Sequence, residues 1–128
     1  MKNNPVGWFE IYVQDMGRAK AFYENVFNVQ FAKLESPEAE SPEVEIWTFP
    51  MHAERYGAPG ALVKMHGFPS GANSVLVYFS CEDCAVEAAR AARSGGTVKK
   101  EKFSIGQYGY ISLVIDTEGN MIGLHSMT

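Results

Sequence analysis

The run Trp8-Phe9-Glu10-Ile11-Tyr12-Val13, with Asp15 two residues beyond it, decides the reading of this chain. The alternation has period two. Phe9, Ile11 and Val13 therefore share one face of a strand, and Trp8, Glu10 and Tyr12 share the other. Asp15 suits an N-cap, because its carboxylate can accept from the amides of a first helical turn. Met16, Ala19, Phe22, Tyr23, Val26 and Phe27 then recur at helical spacing. That stripe is expected to pack on the Phe9/Ile11/Val13 face. Further strands read near residues 30–34, 44–49 and 60–66. Glu35 to Glu43, with Pro37 and Pro42, reads as a solvated loop.

The pattern returns 68 residues later. Phe9, Ile11 and Val13 fall on Val77, Phe79 and Cys81. Asp15 falls on Asp83, Ala21 on Ala89 and Asn28 on Gly96. Val75 to Cys81 reads as a strand, and Asp83 opens an alanine-rich helix that Ser94-Gly95-Gly96 ends. Strands follow near 97–100, 108–116 and 120–126. Asp116-Thr117-Glu118-Gly119-Asn120 is a turn signal between the last two. The expected fold class is α+β: two tandem βαβββ modules, about 6–67 and 72–127, forming a curved mixed sheet around a pocket within one domain.

Composition fits that reading. The chain has 128 residues, 46% hydrophobic and 20% charged, enough for a real core. The net charge of −4, and the absence of a basic stripe, argue against a nucleic-acid partner. No run approaches the 18 or so apolar residues of a membrane span, and the first residues carry no signal-peptide core. Two cysteines make no disulfide framework. A cytoplasmic location is expected.

Both helices need an apolar sheet face, which leaves the opposite faces. There the leading strands place Trp8, Glu10 and Tyr12, then Leu76, Tyr78 and Ser80. Such faces are too apolar for plain surface and too polar for ordinary core. A small-ligand pocket has that mixture.

Val13-Gln14-Asp15, then Ala21-Phe22-Tyr23-Glu24-Asn25-Val26-Phe27, and the ending Asp116-Thr117-Glu118-Gly119-Asn120-Met121-Ile122-Gly123-Leu124 resemble the vicinal oxygen chelate superfamily. That group includes glyoxalase I, bleomycin-resistance proteins and extradiol dioxygenases. The resemblance covers nearly the whole chain and implies the paired βαβββ fold, commonly in homodimers. It also implies where metal-using members hold their ion. The matching positions here are Trp8, Leu76, Gly123 and, less securely aligned, Ala61. None has a side chain suited to a divalent ion. The chain is thus similar to a metal-lacking subgroup, and the expectation is no metal and no other cofactor.

Glu10 is the candidate catalytic residue. A carboxylate beside an aromatic wall can serve as a general base or acid, or be a hydrogen-bonded structural group. Trp8, Tyr12, Leu76, Tyr78, Tyr108 and His125 are candidate ligand contacts. His52 and His66 read as surface. Cys81-Glu82-Asp83-Cys84 has redox spacing but lacks further zinc ligands, and Cys81 reads as a small core residue. Phe103 to Tyr110 is either a flexible lip over the pocket or a tight loop anchored by tyrosines. The expected function is binding of a small molecule without the family's usual metal. The alternatives are a glyoxalase-type lyase or isomerase acting on a small carbonyl or thiol adduct, and an interaction module.

Overall fold

A computed structural model describes residues 3–35, 44–71, 74–117 and 119–128. The elements are β1 (Val6–Tyr12), α1 (Met16–Phe27), β2 (Ala32–Lys33), β3 (Val44–Thr48), β4 (Gly60–Met65), β5 (Val75–Ser80), α2 (Cys84–Arg93), β6 (Thr97–Ser104), β7 (Tyr110–Ile115) and β8 (Met121–Ser126). Contacts divide the chain into two compact units, Trp8–Val75 and Met1–Gly7 with Leu76–Thr128. The α+β class and the tandem βαβββ pattern are as the alternation implied. Of the expected 35–43 loop, residues 36–43 lie outside the described residues.

In the first unit the strand order is β2-β3-β4-β1. β1 runs parallel to β4, and β3 pairs antiparallel with both β4 and β2. Asp15 caps α1, its Oδ1 accepting from Arg18 N–H at 3.0 Å, and Asn28 ends it in the left-handed region at φ 54°. The core under α1 is Val13, Met16, Phe31 and Leu62, with Ile11, Ala19, Tyr23, Trp47 and Phe49 packed against it. Removing the Leu62 side chain from water contributes roughly 1.5–3 kcal/mol. Gly60 lies under Phe9, so close that an added Cβ would sit 2.4 Å from the ring.

The expected α1 stripe is only half right. Met16 is buried, and Ala19 and Tyr23 pack on the core, but Phe22, Val26 and Phe27 are 58%, 55% and 60% exposed. Two causes combine. At roughly 100° per residue, Phe22 is turned about 100° or more from both Met16 and Tyr23. The sheet face beneath is already filled by Phe49, whose ring lies 4.5 Å from Phe31 and 5.9 Å from Tyr23.

The second unit repeats the topology in the order β5-β8-β7-β6, with β5 parallel to β8 and β7 antiparallel to β8 and β6. β6 extends to Ser104, beyond the expected end near residue 100. It carries register shifts between Val98 and Phe103, and the buried Ser112 hydroxyl donates to Lys100 O there at 2.7 Å. The β7–β8 turn closes by Asp116 N–H to Asn120 O, with Gly119 at φ 84°. α2 packs on Val114 and Leu124 through Cys84 and Ala88.

The start of α2 is tied to the end of β8. Asp83 Oδ1 accepts from Ala85 N–H, and the buried Ser126 Oγ accepts from Cys84 N–H, each at 3.0 Å. Lys102 Nζ donates to Asp83 Oδ1 at 2.8 Å and to Thr128 O at 3.0 Å. The Lys102 bond and the Ala85 amide hold the Asp83 carboxyl below its ordinary range. A depressed folded value means the cap's contribution is present above the ordinary carboxylate range and is lost as pH falls. Ser126→Ala strips the buried Cys84 amide of its acceptor. It is expected to cost about 1–3 kcal/mol in urea unfolding, whereas exposed Ser94→Ala shifts the midpoint little.

Candidate functional site

β1 is paired residue by residue with β4: Glu10 opposite Ala61, Tyr12 opposite Val63. The pleat sends Ile11 to the α1 side and Trp8, Glu10 and Tyr12 to the face opposite α1. There the three side chains bond to one another. Trp8 Nε1–H donates to Glu10 Oε2 at 3.1 Å, and the Tyr12 hydroxyl donates to Glu10 Oε1 at 2.6 Å. Each carboxylate oxygen accepts from an aromatic donor two residues away, so the head group is oriented and flanked by rings. Tyr12 is buried, and Phe68 stacks on it at 5.1 Å. Gln14 holds that connector by donating to Phe68 O at 3.2 Å. The sequence reading treated Phe68 as part of a plain connector. The signal was its place just after Gly67, whose φ of 87° turns the chain back at the end of β4.

The face opposite α2 in the second unit has different chemistry. Tyr78 pairs with Gly123 and Ser80 with His125, while β7 brings Ile111 opposite His125 and Leu113 opposite Gly123. Leu76 and Tyr78 are buried. The Tyr78 ring covers Gly123, and a Cβ there would lie 2.2 Å from its Cδ1. His125 Nε2 lies 2.6 Å from Tyr108 O. A carbonyl only accepts, so Nε2 carries the proton in that bond. His125 thereby anchors the segment before β7. Ile105 N–H to Gly109 O and Gly109 N–H to Gly106 O tighten it further, and Gly109 at φ 100° leaves no room for a Cβ against Ser126 O. Residues 105–109 form a tight loop, but backbone bonds and His125 hold it where tyrosine side chains were expected to. Tyr108 contacts His125 through its backbone.

The structure thus groups Trp8, Glu10 and Tyr12 in one unit and Leu76, Tyr78, Tyr108 and His125 in the other. His52 and His66 are exposed.

The duplication fixes which positions correspond. Glu10 pairs with Ala61 as Tyr78, 68 residues on, pairs with Gly123. Ala61 and Gly123 are therefore equivalent, which secures the alignment that sequence left loose. An indole, a methyl group, an isobutyl group and a hydrogen occupy positions 8, 61, 76 and 123. This set does not fit a divalent ion. Among the described residues no group of three His, Cys, Asp or Glu side chains could hold one elsewhere.

Cys81 packs on the α2 core, and burial, then the Glu87 carboxylate and Cys84, push its thiol up to about 11. A thiol of that kind is protonated at neutral pH and is a poor nucleophile.

Two βαβββ units, each with a helix on one sheet face and a mixed aromatic, polar and aliphatic opposite face, define the paired βαβββ fold class. The sequence profile of the Glyoxalase/Bleomycin resistance protein/Dioxygenase superfamily matches residues 6–124, and the chain belongs to that superfamily. Similar solved structures share the fold. A Streptomyces coelicolor methylmalonyl-CoA epimerase variant, in complex with 2-nitronate-propionyl-CoA, is 16% identical with TM-score 0.69, covering 96% of each chain. A hypothetical protein from Bacillus halodurans is 11% identical with TM-score 0.70, covering 99% of this chain and 96% of the other. The Mycobacterium tuberculosis methylmalonyl-CoA epimerase is 12% identical with TM-score 0.64, covering 97% and 88%. Among curated proteins none gives a significant match. No helix among the described residues is long and apolar enough to cross a membrane.

The Cys81 environment has a direct consequence. At pH 8 its alkylation by iodoacetamide is expected to run about 100-fold slower than that of an unperturbed thiol and to rise with pH up to about 11. Peptide mapping after timed quenching reads this rate.

Proposed function

We propose that this chain binds a small organic molecule on the sheet face opposite α1, without the divalent ion that metal-using members of its superfamily hold. The observation that carries the reading is the carboxylate of Glu10 held between Trp8 and Tyr12. An oriented carboxylate flanked by aromatic rings favours a flat or apolar ligand bearing a cation or a hydrogen-bond donor. On the second unit's own face, the aliphatic side chains at positions 111 and 113, with Tyr78 and His125, favour a more apolar contact than the first unit's face does. The side chains at positions 8, 61, 76 and 123, none of them a donor for a divalent ion, support the part of this reading that concerns the metal. We further propose that the protein acts in the cytoplasm as a homodimer.

The short Tyr12–Glu10 bond of 2.6 Å favours a second reading, a lyase or isomerase of glyoxalase type with Glu10 as base. That enzyme would convert a methylglyoxal–thiol adduct, and the turnover would vanish in Glu10→Gln. The binding reading ranks first because both Glu10 oxygens already accept from neighbours in the same strand.

The test uses Trp8 as reporter. In Trp47→Phe protein, titration with acridine orange, a flat aromatic cation, is expected to quench Trp8 fluorescence. Adding Glu10→Gln is expected to weaken that binding about tenfold, a change of about 1.4 kcal/mol, while neutral anthracene binding changes little. Equal dye affinity in the Gln variant would remove Glu10 from recognition. One tightly held nickel, zinc or iron per purified chain in elemental analysis would overturn metal independence.

A further inference from the structure

The second unit carries a cation that strand spacing alone misplaces. Val98 packs on the α2 core, and Lys102 reaches Asp83 at the start of α2. In a regular strand Lys100, midway between them, would share their face. β6 is not regular. Its register shifts between Val98 and Lys100 and again between Lys100 and Phe103, so that Lys100 lies opposite Leu113 and Phe103 opposite Ile111. Paired residues share a face, and Leu113 and Ile111 stand on the one opposite α2, in line with Gly123 and His125. Two irregularities in one strand thus re-aim a lysine and a phenylalanine away from the helix. The Lys100 ammonium lies 4.8 Å from the Phe103 ring centroid, which brings both side chains together on the outermost strand.

That edge borders an apolar strip. Phe103, Ile111 and Leu113 are half-buried, and Lys100 is exposed. None of the residues paired across β5, β8, β7 and β6 is acidic, and among the described residues no carboxylate pairs with Lys100. Two strand spacings, about 10 Å, separate Gly123 from Lys100, a span that one bicyclic or short acyl body covers. A strip of that length, ending in a cation without an acidic partner, complements an amphiphile with one negative head. The whole chain carries a net charge of −4, so general attraction of anions does not create the match. We propose that the face opposite α2 binds a small monoanion with an apolar body. The body lies across Leu113 and Ile111, and the acidic head meets the Lys100 ammonium. A carboxylate or a sulfonate serves equally, since an ammonium acts as a point charge and asks for no planar fork. This ligand is opposite in charge to the one proposed for Glu10, and the inference does not depend on that reading.

The probes are two dyes of one skeleton, neutral phenylnaphthylamine and anionic anilinonaphthalene sulfonate, titrated by fluorescence. The wild type is expected to bind both, and only the sulfonate more weakly as salt is raised. Lys100→Met keeps an apolar stem and removes the charge. It is expected to weaken the sulfonate about fivefold and to change the neutral dye little. Lys33→Met, exposed on the first unit, is expected to change neither. Leu113→Ala is expected to weaken both dyes with an unaltered circular dichroism spectrum. Equal loss of the two dyes in Lys100→Met, or no loss of the sulfonate, would overturn the charged contact. Leu113→Ala without effect on either dye would overturn the location. A wild type that binds neither dye would overturn the proposal, and one that also sediments as a dimer would assign the face to a second copy. Sulfonate binding is expected to be unchanged in Glu10→Gln, and acridine orange binding unchanged in Lys100→Met, so failure of the Glu10 reading is seen separately.

Discussion

The pleat of β1 is the constraint on which the rest depends. One strand must deliver Ile11 to a helix and Glu10 to the opposite face, and a slip of one residue would exchange them. The parallel pairing with β4 holds the register, with Ile11 opposite the fully buried Leu62 and Glu10 opposite Ala61. Moving Glu10 under α1 would bury a carboxylate among the apolar side chains of Val13, Met16 and Phe31. The hydrophobic side of the strand therefore enforces the position of the polar side. Trp8 and Tyr12 complete it, since strand spacing brings residues two apart within reach of the same carboxylate.

The same logic, applied in the second unit, yields a different surface from equivalent backbone. Tyr78 stands where Glu10 stands, and Gly123 where Ala61 does. The Tyr78 ring needs the empty space over Gly123 and cannot share it with a side chain. A glutamate at position 123 would have to displace that ring. The loss of ligating side chains is thus built into the packing of this face and goes beyond the identity of one residue. Duplication preserved the scaffold, while the two open faces separated into one centred on a carboxylate and one lined by aliphatic groups.

Parity and repeat were legible from the sequence because both are properties of spacing alone. They placed Trp8, Glu10 and Tyr12 together, put Cys81 on the core side and marked Asp15 and Asp83 as caps. What spacing does not carry is volume. The α1 stripe reads as six apolar positions, but Phe31 and Phe49 arrive from outside the helix and fill the sheet face first, leaving Phe22, Val26 and Phe27 outside. Lys20 and Trp47 show the same limit. The Lys20 ammonium lies 3.2 Å from the Trp47 ring centroid, and Trp47 Nε1–H donates to Glu45 at 2.9 Å. Nothing in the spacing of those three residues announces the contact.

Phe68 and His125 show a second limit, that of loops. Both act through segments whose path is set by tertiary bonds. Gln14 holds the Phe68 carbonyl, and His125 holds the Tyr108 carbonyl, each across a long sequence separation. These bonds turn two glycine-containing connectors into fixed parts of the structure, one stacking a ring on Tyr12 and one closing the approach to β7. A backbone carbonyl has no sequence signature, since every residue offers one. The two side chains that find them are visible only as polar groups in places where a polar group must be satisfied. Gln14 follows Val13, a core residue, and His125 follows Leu124, another. In both cases the chain turns a polar side chain toward a loop at the step after a core residue. The face opposite α1 therefore owes its carboxylate to strand periodicity and its Phe68 wall to a bond that only folding assembles.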